Sequence, residues 1–259
     1  MTAEKTDAIV LRVTEFSETS CVATLFTREF GKITGLAKGA RRRKSAFESA
    51  LDVLSIVRLV FLRKNTGGLE LLTEARLERR FRSGATDLGR FYAALYLAEL
   101  LSAFTEEHDS HVELYDLALQ SLTALDQPGT ATGLELLKFE FGMLSQVGHA
   151  PMLSGCSSCD VPLEIGSRNH FGLITGGLLC QSCRSGQKQV VLVSRETVDL
   201  AKQMQDAEAV TPVNVEKRTY AQLRGTINQF ESAILGFRPR TQTWLKSVTH
   251  ETISTTESD

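Results

Sequence analysis

Cys156 and Cys159 are separated by two residues, twenty residues follow, and Cys180 and Cys183 repeat the spacing. Two knuckles at this separation match a four-thiolate zinc site. Two residues between thiols let one turn aim both sulfurs at a single ion. The intervening segment carries the second pair around to complete a tetrahedron. Gly155, Gly172, Gly176 and Gly177 lie near the ligands and give such turns backbone freedom. The spacing predicts one structural Zn2+ per chain with no open coordination position, so the ion braces the fold and does not activate water. Two disulfides, or four unrelated thiols, are the alternative.

Charge supplies the second candidate. Lys38-Gly39-Ala40-Arg41-Arg42-Arg43-Lys44 places five cations in seven residues. A cationic loop suits a phosphate backbone, because each neutralised phosphate releases condensed counterions. Arg58, Arg63, Lys64, Arg76, Arg79, Arg80 and Arg82 add further positive charge. In a barrel, strand-end residues such as Arg63 and Lys64 are expected to join the loop in one continuous face. The plain alternative is a solvated run that keeps the domain soluble. Single-strand binding usually adds aromatic platforms on which bases stack, yet residues 1–82 hold no Trp or Tyr. Phe16, Phe26, Phe30, Phe61 and Phe81 read as core, and Phe47, just after the basic run, is the stacking candidate. The balance points to binding led by the backbone, with little sequence preference.

Other constellations are sparse. His108 and His111 sit beside Glu106, Glu107 and Asp109, which reads as a solvated acidic turn between helices in preference to a metal patch. No Walker A loop, dinucleotide loop, HExxH or nucleophile elbow occurs, so neither enzymatic activity nor a small-molecule substrate is expected. Cys21 lies in a strand-like run and reads as a small buried residue.

The elements that must position these groups fall into two regimes. Ala8–Val13, Ser20–Thr27, Lys32–Ala37, Leu51–Leu62 and Leu69–Leu77 are short runs rich in Val, Ile, Leu and Thr, broken at turn residues. Five short strands in residues 8–82 suit a small closed barrel, of OB type or, in competition, SH3-like. After Arg82 the apolar spacing becomes helical. Helices are predicted to about Phe104, from Leu114 to Leu125, from Leu134 to Val147, from Arg195 to Gln205 and from Glu216 to Leu235. Gly148 and Gly236 sit where helices end, and Ser194 where one begins. The expected fold is α+β and multidomain: an N-terminal OB barrel over residues 1–82, then a helical domain over 83–250 carrying a four-cysteine zinc finger at about 154–186. A polar tail over 251–259 is expected to be disordered.

Composition is that of an ordinary globular chain: 259 residues, 42% hydrophobic and 23% charged. The N-terminus lacks a cationic segment followed by an apolar core, and no long uncharged apolar stretch occurs. A cytoplasmic protein without a membrane partner is expected. The formal charge of −2 conceals a division: residues 1–82 hold 16 Lys and Arg against 10 Asp and Glu, while residues 83–259 hold 13 against 21. A basic front end on an acidic body is a signature of polyanion binding.

Several short stretches carry a resemblance when taken in order. They are Ala8-Ile9-Val10-Leu11, Thr27-Arg28-Glu29-Phe30-Gly31-Lys32, Ala37-Lys38-Gly39-Ala40-Arg41-Arg42, Tyr96-Leu97-Ala98-Glu99-Leu100, Phe139-Glu140-Phe141, and Val147-Gly148-His149-Ala150-Pro151 before the first knuckle. The chain resembles the bacterial recombination mediator family RecO across almost its whole length. The resemblance implies an OB domain, a helical domain with a zinc finger, binding of single- and double-stranded DNA, and annealing of complementary strands. It also implies help in loading RecA onto strands coated by single-strand-binding protein, with RecR and the C-terminal tail of that binding protein as partners, in the cytoplasm at the nucleoid. The DNA role carries over to Lys38, Arg41, Arg42, Arg43 and Lys44, and the metal role to the four cysteines. Where members often carry a lysine-containing stretch before a final leucine, this chain has Phe237-Arg238-Pro239-Arg240-Thr241. A protein-interaction scaffold, with DNA contact secondary, and a zinc-ribbon enzyme are the competing functions.

Overall fold

The computed structural model describes residues 2–42, 44–47, 50–64, 68–206 and 214–245. The tail expected over 251–259 lies outside them. The chain divides into two compact units, Met1–Thr130 and Ala131–Asp259.

The first unit opens with five strands: β1 (Thr2–Glu15), β2 (Cys21–Thr27), β3 (Gly31–Ala37), β4 (Ile56–Arg63) and β5 (Glu70–Arg79). They close into a barrel in the order β1-β2-β3-β5-β4. The long β1 pairs antiparallel with both β2 and β4, and β3 meets β5 in parallel. This is the five-stranded OB barrel. Alternation fills it: Ala23 and Leu25 of β2, Ile33 of β3, Leu59 and Phe61 of β4 and Leu72 of β5 share one core. Residues 51–55, expected to open β4, form a bend in which Leu54 takes φ of 67°.

Two helices complete this unit: α1 (Leu88–Phe104) and α2 (Val112–Leu125), after a 3-10 turn at Ser83–Ala85. They explain why β1 is buried on both faces, with Ala8, Ile9 and Val10 all at 0% exposure. Ala8 and Val10 join the barrel core. Ile9 pairs with Phe26, whose ring lies 6.3 Å from Tyr115 of α2. The segment Thr27–Lys32 ties barrel to helices. The Thr27 hydroxyl donates to Gly31 O and accepts from Phe30 N, shaping the β2–β3 turn. Arg28 donates twice to Asp116, at 3.0 and 2.9 Å, and this hydrogen-bonded guanidinium holds the Asp116 carboxyl below its ordinary range. Gly31 takes φ of +65° and sits so close to Asp109 that a Cβ would fall 1.9 Å from its carbonyl oxygen. Lys32 donates to Ser102 O and Thr105 O at the C-terminal end of α1, where an ammonium also meets the helix dipole.

The second unit holds α3 (Thr132–Gln146), β6 (Arg168–Gly172), β7 (Gly177–Leu179), the single turn α4 (Gln181–Arg184), β8 (Val190–Ser194), α5 (Arg195–Gln205) and α6 (Lys217–Leu235). Gly148 and Gly236, with φ of 78° and 74°, follow α3 and α6, and Ser194 caps α5 by accepting from Thr197 N. The three strands form a sheet ordered β7-β6-β8. The strand β8 was not legible as an element, because four consecutive apolar residues before Ser194 carry no usable period and its partner β6 lies some twenty residues away. No described helix is long and apolar enough to cross a membrane.

Between α3 and α6, Arg224 donates from both terminal nitrogens to the two carboxylate oxygens of Glu140, which is 0% exposed. Removing one member of such a pair strands a charge in the interior. Arg224→Ala is expected to cost about 3–5 kcal/mol, and replacing both residues by Met to recover most of that loss. Urea unfolding followed by helical circular dichroism checks it; a single substitution within about 1 kcal/mol of wild type contradicts it.

Candidate metal centre and nucleic-acid interface

The four cysteines converge in the second unit. Met152 N donates to Gly176 O and Leu178 N to Met152 O, laying the first knuckle beside β7. The knuckle closes on itself through Cys156 N to Val161 O and Asp160 N to Cys156 O, both 2.9 Å. The second pair opens α4, where Cys180 is the capping residue and its sulfur accepts from Cys183 N at 3.3 Å. Cys180 N donates to the Cys156 sulfur at 3.4 Å, which joins the knuckles. All four Sγ atoms lie within 4.8 Å of one another, with Cys159 and Cys180 at 3.9 Å. A metal–sulfur bond of about 2.3 Å places tetrahedral ligands about 3.8 Å apart, so the donor set fits a thiophilic tetrahedral ion. Each cysteine is a free thiol.

Local hydrogen bonds sort these thiols. Burial pushes Cys156 up, but the backbone N–H groups of Cys180, Ser158 and Cys159 outweigh it and bring the thiol down to about 6. Hydrogen bonding with Cys159 and then Cys180 pushes the Cys183 thiol up to about 12. Four thiolates at this spacing repel one another, and a cation at their centre removes the conflict. Among the described residues no second group of three or more His, Cys, Asp or Glu converges in this way. His108 instead faces Glu70 at 3.6 Å and His111 faces Asp109 at 3.0 Å, in a turn whose Glu107 accepts from Thr34 of β3. Cys21 is a barrel-core residue whose thiol burial pushes up.

The basic loop belongs to the first unit and is held to the barrel at several points. Gly39 N donates to the Ser20 hydroxyl, Arg41 N to Thr19 O, and Ala75 N of β5 to Ala46 O. Phe47, the residue expected to stack on bases, is 3% exposed and lies in the barrel core. It anchors the loop and offers no platform, because the chain after the cations turns back into the barrel. Lys38, Arg41, Arg42 and Lys44 are exposed; Arg43 lies outside the described residues. Arg41, Arg42, Lys44 and Arg80 line one cleft of about 550 Å³. Two acids share it, Glu15 at 2.8 Å from Arg41 and Asp52 at 3.4 Å from Arg80. Arg42 and Lys44 make no ion pair with a described residue.

Arg63 and Lys64 are placed elsewhere. The β4–β5 register sets Ile56 opposite Arg79 and Leu62 opposite Leu71, so Arg63 ends β4 about 23 Å from the Arg79 end. There it lies over the Phe30 ring at 5.9 Å, and Lys64 N donates to Glu70. Arg58 and Arg76 face each other across β4 and β5, with Arg58 paired to Asp7 at 3.1 Å. The cations therefore form a cleft at one end of the β4–β5 hairpin and a separate pair at the other.

Two family models match the chain, one described as Recombination protein O N terminal over residues 1–81 and one as Recombination protein O C terminal over residues 85–242. A protein of Rhodopirellula baltica called DNA repair protein RecO is 34% identical, covering 92% of this chain and 97% of the relative. Proteins of the same name from Myxococcus xanthus and Bacillus pumilus are 32% and 30% identical, covering 93% and 87% of this chain and 96% and 87% of those relatives.

The metal centre yields a direct check. Elemental analysis of chain purified in reductant is expected to find one metal ion per molecule. Substituting Cys159 and Cys183 by Ser should remove it and cost several kcal/mol of stability, a share of the roughly 10–16 kcal/mol that such ions supply to finger peptides. Metal-free protein with an unchanged melting temperature would count against the site.

Proposed function

The chain belongs to the RecO family of DNA repair proteins, and from that premise we propose that it is a non-catalytic recombination mediator. It binds single- and double-stranded DNA and anneals complementary strands. With RecR, it helps load RecA onto strands coated by single-strand-binding protein, whose C-terminal tail it engages. It works in the cytoplasm at the nucleoid.

One observation carries the reading: Arg41, Arg42, Lys44 and Arg80 converge on a single cleft of an OB barrel. Two DNA strands repel through their phosphates, and pairing needs that repulsion lowered while the bases stay free. Cations on a fixed loop neutralise phosphates and release counterions, leaving base edges unoccupied. Such annealing makes and breaks no covalent bond and consumes no nucleotide. The metal is assigned as Zn2+, because four thiolates in a closed tetrahedral shell suit that ion and leave no position for a substrate. Its part is to hold the two knuckles together.

Replacing Arg41, Arg42, Arg43 and Lys44 by Ala is expected to weaken oligonucleotide binding. It should also flatten the slope of log affinity against log salt by up to about 3 on single strands, at roughly 0.7 for each phosphate left without its cation. Titrations at several salt concentrations read both quantities; unchanged affinity and slope would refute the assignment.

A further inference from the structure

Arg80 of the loop cleft also lines a second groove of about 710 Å³, whose walls include Arg79, Phe81, Arg82, Gly84 and Phe91, all within the first unit. Its acid, Glu78, faces Arg76 at 3.9 Å. Arg79 and Arg82 make no ion pair with a described residue. Cations here alternate with aromatic rings, an arrangement absent from the loop cleft once Phe47 is buried in the core.

Hydrogen bonds fix the backbone beside the groove. Asp126 accepts from Arg82 N at 2.8 Å and Ser83 N at 2.7 Å, and its carbonyl accepts from the Ser83 hydroxyl. Asp87 N donates to Ser83 O and, through its own side chain, Asp87 caps α1 by accepting from Arg90 N. Gly84 lies against Phe91, where a Cβ would sit 2.8 Å from the ring, so a side chain at this position would displace the ring. Phe81 is half-buried.

We infer that this groove is a subsite for single-stranded nucleic acid, in which Arg80 and Arg82 hold phosphates and Phe81 and Phe91 stack unpaired bases. The inference rests on the DNA-binding reading above and adds a strand preference that the loop alone does not provide. A duplex keeps its bases stacked within the helix and can use only the cations. An unpaired strand can use cations and rings together.

The test uses the full chain with fluorescent oligonucleotides, single-stranded and duplex, of equal length. Phe81→Leu keeps the apolar volume and removes the ring. It is expected to weaken single-strand binding roughly 5- to 150-fold, the loss of one stacked base, and to leave duplex binding unchanged. Phe81→Tyr should restore the wild-type value. Equal weakening of both substrates, or of neither, overturns the subsite, as does failure of Tyr to rescue. The loop variant separates this outcome from the broader reading. If it binds both substrates as wild type does while Phe81→Leu still loses single strands, the loop assignment falls and the groove stands.

Discussion

Mutual repulsion within the basic loop is the constraint on which the barrel's surface depends. Five cations in seven residues disperse unless the backbone beneath them is fixed. Here it is fixed by hydrogen bonds to Ser20 and Thr19 of the β1–β2 turn and by Phe47 and Ala50 buried in the barrel core. Holding the charges together costs free energy in the isolated protein, and a polyanion that neutralises them recovers it. Neighbouring acids temper the field: Glu15 and Asp52 each engage one arginine, while Arg42 and Lys44 face outward.

Each compact unit contains an arginine clamped on a carboxylate, and the two clamps differ in weight. Arg28 and Asp116 are 39% and 42% exposed at their side chains, so solvent screens the pair and it mainly sets orientation. Glu140 and Arg224 are enclosed. Their desolvation makes the intact pair nearly neutral in net stability but a broken one expensive. Glu140 and Arg28 fall in stretches that carry the family resemblance, Phe139–Phe141 and Thr27–Lys32. Those stretches mark architecture, and the chemistry sits beside them. The thiol cluster follows the same logic, since the two knuckles bring four mutually repelling ligand atoms within 4.8 Å of one another and would leave them uncompensated without a cation.

Much of this was legible in the residues. The cysteine spacing named its own geometry, because two intervening residues leave little freedom in where the sulfurs point. Strand alternation and helix-ending glycines also survived, since both are local. What was not legible depends on register. Nothing near Arg63 says that β4 carries it away from Arg80, and nothing near Phe47 says that the loop returns the ring to the core. The partners Arg28 and Asp116 are 88 positions apart, and Glu140 and Arg224 are 84 apart. The five-residue β8 exists only because β6 accepts it. Phe81, read as core from its type, is half-buried because the chain leaves the barrel at that point.

Strand pairing itself is the property that tests the cationic barrel most directly. Two complementary oligonucleotides, one carrying a fluorophore and the other a quencher, can be mixed with the full chain across a range of salt. Faster pairing than in the protein-free control, with the advantage shrinking as salt rises, is the predicted result. Pairing no faster than the control at every salt concentration would contradict it.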